Sequence, residues 1–280
     1  SWEVPLQAAD MALSCTVCVS AAEDETIKLT VWGAEEDQDL LKELTDKFQE
    51  KSADQKFDIQ IGVESESTAK DTILTDVEAG ADVYAFADDQ LTDLVKAGAL
   101  LKLDDYAEAL QLADTTLDDV KAANVEGAID AASWDSLLEA ADKAGKKVGM
   151  TLASGNLVAC VSGTWDAITA QDVFGDGYAA TKLPTFTVGD KQVQQGSVAG
   201  YKYVGVNGYS ENSGWAVLLA EYFTNEESQQ MFFDQRESGP SNKNVAASDS
   251  VQENVALAAL SAQSEYAQAQ KVGGKYWDSA

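Results

Sequence analysis

From Ile27 to Leu103 the chain alternates strand and helix patterns three times, and this alternation constrains the fold more than any other feature. Ile27, Leu29 and Val31 are separated by polar residues, as in a strand, and Leu40, Leu41, Leu44 and Phe48 then recur at helical spacing. Phe57, Ile59, Ile61 and Val63 alternate again, and the following segment reads as a helix carrying Ile73, Leu74 and Val77 that stops near Gly80. "ADVYAF" reads as a short strand, "DDQLTDLVKAG" as a helix ending at Gly98, and "ALLKL" as another extended piece. Repeated strand-helix units of this kind predict an α/β lobe, a parallel sheet covered by helices.

The rest of the chain is less regular. Residues 104–132 read as helical or irregular, and "SWDSLLEAADKAGKK" as a helix with Ser133 as N-cap and Gly145 as its stop. Strands are expected at Val148–Leu152 and Val158–Ser162, and near "AATKLPTF" and "AGYKYVGVN". Residues 211–235 read as one or two helices through Trp215, Leu218, Leu219, Tyr222 and Phe223. From 239 onward come a Gly-Pro-Ser turn, alanine-rich helix and the closing "GGKYWDSA". A chain of 280 residues exceeds the usual size of one domain, so two lobes are expected.

Composition removes several classes of function. The 48 Asp and Glu against 19 Lys and Arg leave a formal charge of -29, which repels phosphate backbones and argues against nucleic acid as a partner. These acids are spread along the chain and read as a solvated surface. Histidine is absent, which excludes Ser-His-Asp and Cys-His catalysis and histidine metal sites. Arg236 is the only arginine, so an anionic ligand has at most one guanidinium to hold it. No Asp-x-Asp-x-Asp-Gly loop of the EF-hand kind occurs, and neither a metal nor a cofactor is expected.

Of the three cysteines, Cys15 and Cys18 form Cys-Thr-Val-Cys in an apolar stretch ahead of the first strand, a poor position for a redox pair. "MALSCTVCVSAAEDET" reads instead as the tail of an export segment, with small and apolar residues running up to a cysteine and an acidic linker after it, as near a processed lipoprotein signal. The charged start of such a signal is not visible in "SWEVPLQAAD". Cys160, within an apolar run, is expected to be a buried small hydrophobe. No uninterrupted apolar run has membrane-spanning length.

In open parallel sheets ligands bind beyond the carboxyl ends of the strands, a rule that selects three stretches. "VWGAEED" offers Trp32, Glu35, Glu36 and Asp37; "YAFADDQ" offers Phe86, Asp88, Asp89 and Gln90; "SGTWDA" offers Trp165 and Asp166. Each joins an aromatic to hydrogen-bond acceptors, a pairing that suits sugars, whose apolar face lies on a ring while their hydroxyls donate to carboxylates and amides. The competing reading is plain packing and helix capping. Trp165 thus stands as a core anchor, the marker of a catalytic Asp166, or a ligand platform. A glycosidase would need paired carboxylates, for which Asp88 with Asp89 or Glu35 with Glu36 are available.

At these residues the sequence resembles the extracellular solute-binding proteins of ABC importers, in the branch that includes maltose- and maltodextrin-binding proteins. "IKLTVWGAEEDQDLLKELTDKFQEK" resembles the family's opening strand and helix, and "GADVYAFADDQLTDLVKAGALLKLDDY" its third strand, cleft segment and next helix. "GTWDA", "ATKLPTF", "SVAGYKYVGVN" and "LLAEYFTNEESQQMF" follow in the family's order. The resemblance implies a two-lobed periplasmic-binding-protein-like fold of type II: an export remnant at 1–25, the N-lobe at 26–132, a reduced C-lobe at 133–203, a return segment at 204–238 and a helical C-lobe end at 239–280.

The same resemblance implies roles for particular residues. Phe86 and Trp165 stack on sugar, with Trp277 as a further aromatic, and Asp89 accepts from sugar hydroxyls. Gln90 stands where maltose binders have an arginine, and Glu35, Glu36 and Asp37 lie in the loop that supplies polar contacts. Family segments between "NVEGAID" and "SWDSLL", between "MTLASGN" and "LVACVSG", and after "YWDSA" are missing, hence the reduced second lobe. The implied function is non-catalytic: an extracellular or periplasmic monomer, lipid-anchored at its N-terminus, closes by a hinge on an oligosaccharide and delivers it to a membrane permease. A polyamine or other cationic solute, a carboxylate glycosidase, and a truncated chain that binds nothing are the alternatives.

Overall fold

A computed structural model describes residues 26–103, 138–139, 141, 143, 147–149 and 157–269. The chain divides into two units. The described residues of the first are 26–103 and 200–228, and those of the second lie within 138–199 and 229–269. Cys15, Cys18, Ser133, Gly145, Trp277 and both internal junctions where family segments were expected to be missing fall outside the described residues.

In the first unit, β1 (Thr26–Gly33), β2 (Lys56–Val63) and β3 (Val83–Ala87) are parallel, and β9 (Lys202–Val206) adds an antiparallel edge, in the order β2-β1-β3-β9. Alternation sorts β1 onto two faces. Ile27, Leu29 and Val31 are buried, and Gly33 on the same face is where Leu41 of α1 (Gln38–Lys51) comes closest. The apolar stripe of α1, Leu40, Leu41, Leu44 and Phe48, is buried as its spacing requires. Phe48 meets Phe57 at 5.5 Å and Tyr222 at 5.8 Å, and Phe57 meets Trp215 edge-on at 5.1 Å, so α5 (Ser213–Thr224) joins this layer. Full burial of each such side chain is worth about 1.5–3 kcal/mol.

The opposite face is covered along only part of its length. Ala69, Ile73, Tyr84, Phe86, Leu94 and Ala99 form a buried cluster with Trp32, Val77 and Leu100 against it, supplied partly by α2 (Ala69–Ile73) and α3 (Leu91–Lys96). Toward the other end of the strands, Lys28, Thr30, Asp58 and Gln60 line an open groove of about 490 Å³, with Asp82 and Glu211 on its wall. The expected helix-covered sheet is therefore open here, because β1 and β2 place polar residues at every second position, a pattern typical of one solvated face.

The helix read through Ile73, Leu74 and Val77 is shorter than expected. It ends at Ile73, Leu74 is exposed, and the Asp76 carboxylate accepts the Glu78 and Ala79 N–H groups at 3.2 and 3.3 Å in a local turn. Gly80 serves close packing instead of helix termination, since a Cβ there would sit 2.7 Å from Ile73 Cγ1. Gly98 ends its segment as expected, at a φ of 69° open to glycine.

In the second unit β4 (Lys147–Gly149) and β5 (Leu157–Cys160) are parallel, and α4 (Ala167–Phe174) follows. The strand expected in "AATKLPTF" begins only at Thr185, where β6 (Thr185–Val188) and β7 (Lys191–Gln194) form a hairpin. β8 (Ser197–Ala199) pairs with β10 (Ala267–Ala269). The helices α6 (Glu226–Arg236), α7 (Lys243–Ala246), α8 (Asp249–Gln252) and α9 (Val255–Ser264) contribute Phe233, Val245, Val251 and Leu257 to one buried cluster. Buried Gln263 ties this unit together, donating to Gln195 O at 3.1 Å and accepting from Leu183 N–H at 3.1 Å.

The unit boundaries differ from those read in the sequence. The return to the first unit begins at Gly200, not 204, because β9 pairs with β3 from Lys202 onward. It ends at Ser228, not 238, because α6 delivers Phe233 to the second unit's cluster.

Candidate functional site

All three selected stretches fold the same way, as strand, single 3₁₀ turn and helix. The turns are Glu35–Asp37 before α1, Asp88–Gln90 before α3 and Thr164–Asp166 before α4. In each case the preceding residue, Ala34, Ala87 or Gly163, is extended, so the chain leaves its strand straight and then tightens. Acids in these turns also complement the positive end of the helix that follows.

In the first unit hydrogen bonds join the loops at the carboxyl ends of β1, β2 and β3. Glu64 N–H donates to Gly33 O at 2.9 Å, and the Gln38 amide donates to Gly33 O at 3.0 Å and Ala34 O at 3.1 Å. Ala87 N–H donates to Glu66 O at 3.1 Å, and Asp88 N–H to Tyr201 O at 3.0 Å. The rim so formed carries exposed Glu35 and Glu36, half-buried Asp37, Asp88 and Asp89, and the start of β9. Burial pushes the Asp88 carboxyl above the usual aspartate range, against a backbone hydrogen bond from Tyr201 and with a small contribution from Asp89. Lys202 pairs with Glu66 at 2.6 Å.

Two expected ligand contacts are internal. Phe86 is 2% exposed, with Tyr84 and Tyr203 rings at 5.9 and 5.7 Å, and so has no free face for a sugar. The alternation of β3 explains this, since Phe86 shares a face with buried Tyr84. Gln90 is 3% exposed, and its amide is consumed by Glu66 O at 2.8 Å, Ser67 O at 2.9 Å and Lys70 N–H at 3.1 Å. It holds the β2 loop in place and offers nothing outward. Trp32 is half-buried against Tyr84, 6.4 Å away, and is mainly a packing residue.

Trp165, in the second unit, is 81% exposed, which removes the core-anchor reading. Its indole lies on Gly163, where a Cβ would be 2.1 Å from Cζ3. The Asp166 carboxylate accepts the Ser162 hydroxyl. Cys160 is half-buried, less than its apolar surroundings suggested, and burial followed by the Asp166 charge pushes its thiol upward, away from thiolate chemistry.

Sequence reasoning missed Tyr201, Lys202, Tyr203, Glu64 and Glu66. "YKYVGV" was legible as a strand, and the signal it also carried was two tyrosines at alternate positions of an edge. Among the described residues no cluster of three or more Asp, Glu, Cys or His could hold a metal, and no helix is long and apolar enough to cross a membrane.

Residues 143–259 match the family described as bacterial extracellular solute-binding protein. The structure superposes on the unliganded maltodextrin-binding protein MalE1 from L. casei BL23, with a TM-score of 0.72 at 16% identity over 91% of this chain and 90% of that one. The fold is that of the extracellular solute-binding proteins. The maltose/maltodextrin-binding domain from Bdellovibrio bacteriovorus bound to maltotriose matches with a TM-score of 0.69 at 14% identity, over 90% and 92% of the two chains. A structure solved with acarbose matches with a TM-score of 0.72 at 24% identity, over 91% of each chain. No curated protein matches the sequence.

Proposed function

We propose that this protein is the solute-binding component of an ABC importer, that it holds an oligosaccharide of maltodextrin type without transforming it, and that it passes the sugar to a membrane permease. The observation that carries the reading is Trp165, a flat apolar plate 81% exposed on a glycine that leaves room for it. An exposed indole contributes little to stability and suits the apolar face of a pyranose. Solved relatives of this fold described with maltotriose and acarbose support the choice of sugar. The acidic rim of Glu35, Glu36, Asp37, Asp88 and Asp89 supplies acceptors for hydroxyls.

The carboxylate pairs suit binding better than catalysis. Asp88 and Asp89 share one 3₁₀ turn, as do Glu35 and Glu36, whereas glycosidic cleavage uses two acids that flank the scissile bond. An extracellular or periplasmic location, a lipid anchor at an N-terminal cysteine and a monomeric state belong to the same proposal. Titration calorimetry of the full chain with maltotriose and with spermidine, followed by chromatography of the recovered sugar, tests it. Heat with maltotriose returned intact supports the binder; heat with spermidine alone, or cleaved sugar, overturns it.

A further inference from the structure

We infer that Tyr201 and Tyr203 form the sugar-stacking surface of the first unit, in place of buried Phe86, and that these two successive platforms select a ligand of at least two sugar rings. The inference rests on the proposed sugar-binding function. Tyr203 and Gly205 share one face of β9, and Tyr201 lies just before the strand, two positions from Tyr203. Gly205, the innermost, makes room for the rings beneath, since a Cβ there would lie 2.8 Å from Phe86 Cε1 and 2.5 Å from Leu100 Cδ2. Phe86 therefore sinks into the core, and Tyr203 lies over it at 5.7 Å with the planes tilted by 50°. Tyr84, Phe86 and Tyr203 make a run of contacts from the core outward that supports the outermost ring from below.

Above this support the two tyrosines are open, Tyr203 by 41% and Tyr201 by 54%. The backbone at Tyr201 is fixed by the bond from Asp88 N–H, so the pair is held against the turn that carries the Asp88 and Asp89 carboxylates. The Tyr203 hydroxyl is raised by burial and by the neighbouring Asp88 charge, which agrees with that proximity. The arrangement joins flat apolar faces to acceptors for hydroxyls. Positions two apart on a strand are separated by about 7 Å, so one sugar ring covers one tyrosine and a second ring is needed to cover both.

Calorimetry with glucose, maltose and maltotriose on the full chain and on four variants tests this inference. Tyr201→Ala and Tyr203→Ala should each weaken maltotriose binding by about two- to twelve-fold, the loss expected for one aromatic stack. Tyr201→Phe and Tyr203→Phe, which keep the ring face, should bind within about two-fold of wild type. The advantage of maltotriose over glucose should shrink in both alanine variants while their melting temperatures stay near that of wild type. Wild type that takes up no maltodextrin overturns the proposed function itself. Wild type that binds while both alanine variants bind equally well overturns the tyrosine platform and leaves sugar binding standing. Phenylalanine variants that lose affinity as far as the alanine variants also overturn the platform.

Discussion

Gly163→Ala separates the platform reading of Trp165 from a packing role in a single substitution. The new Cβ would fall 2.1, 2.3 and 2.5 Å from Cζ3, Cη2 and Cε3 of the indole, against roughly 3.5–4.0 Å for a comfortable carbon contact. The ring must move by more than about 1 Å, and with 81% of Trp165 in solvent it has open space to move into. At position 163 the backbone has φ -115° and ψ -178°, which alanine adopts freely, so the loss of unfolded-state entropy contributes about 0.4–1 kcal/mol in favour of the fold. Displacement of an exposed ring opposes this by a similar amount, and the net change in stability should stay within about 0.5 kcal/mol, or about 1–2 °C in melting temperature. Loss of the oriented plate should weaken maltotriose binding by about 0.5–1.5 kcal/mol, two- to twelve-fold. Differential scanning fluorimetry and calorimetry on the same preparation read both numbers. A fall in melting temperature beyond about 5 °C would show that the indole is packed, and unchanged affinity would show that it is not a platform; either refutes the reasoning.

Gly205→Ala is the buried counterpart: its Cβ meets Leu100 and Phe86 where neither can swing into water, so chemical denaturation should show a loss of about 1–3 kcal/mol. Gln90→Ala removes three hydrogen bonds, to Ser67 O, to Glu66 O, which keeps the Ala87 N–H, and from Lys70 N–H, and should cost about 1–3 kcal/mol by the same measurement, with weaker sugar binding as the β2 loop loosens. For Asp88 burial raises the folded pKa above the unfolded value, so the folded chain binds this proton more tightly and the group's burial disfavours the fold above that pKa. Asp88→Asn should therefore melt above wild type at pH 7, with the difference narrowing as pH falls toward the ordinary aspartate value of about 3.9; a constant difference from pH 4 to 7 would contradict the assignment.

How far the fold could be read from sequence depended on which pattern a residue belonged to. α1 and β1 were legible because Leu40, Leu41, Leu44 and Phe48, and Ile27, Leu29 and Val31, follow single periods that the packing obeys. α2 was misjudged in length because the apolar spacing continues past Ile73 while the Asp76 side chain diverts the backbone, a competition that periodicity does not register. The strand-end rule located all three turns. It did not say which side chains point outward. Phe86 and Gln90 have the residue types of a sugar site, yet alternation sends the first inward and local carbonyls absorb the second. Trp165 and the two tyrosines are set apart by their exposure. Gly163 leaves room for the Trp165 ring and Gly205 for Phe86 and Leu100, parts visible only when those neighbours are in place.

Titration of the full chain with maltotriose decides whether this protein is a sugar binder. Saturable heat is expected, weakened in Trp165→Ala and Tyr203→Ala without loss of folding, with the sugar recovered uncleaved. The absence of heat with maltotriose and with longer maltodextrins, or recovery of the sugar as glucose, would contradict it.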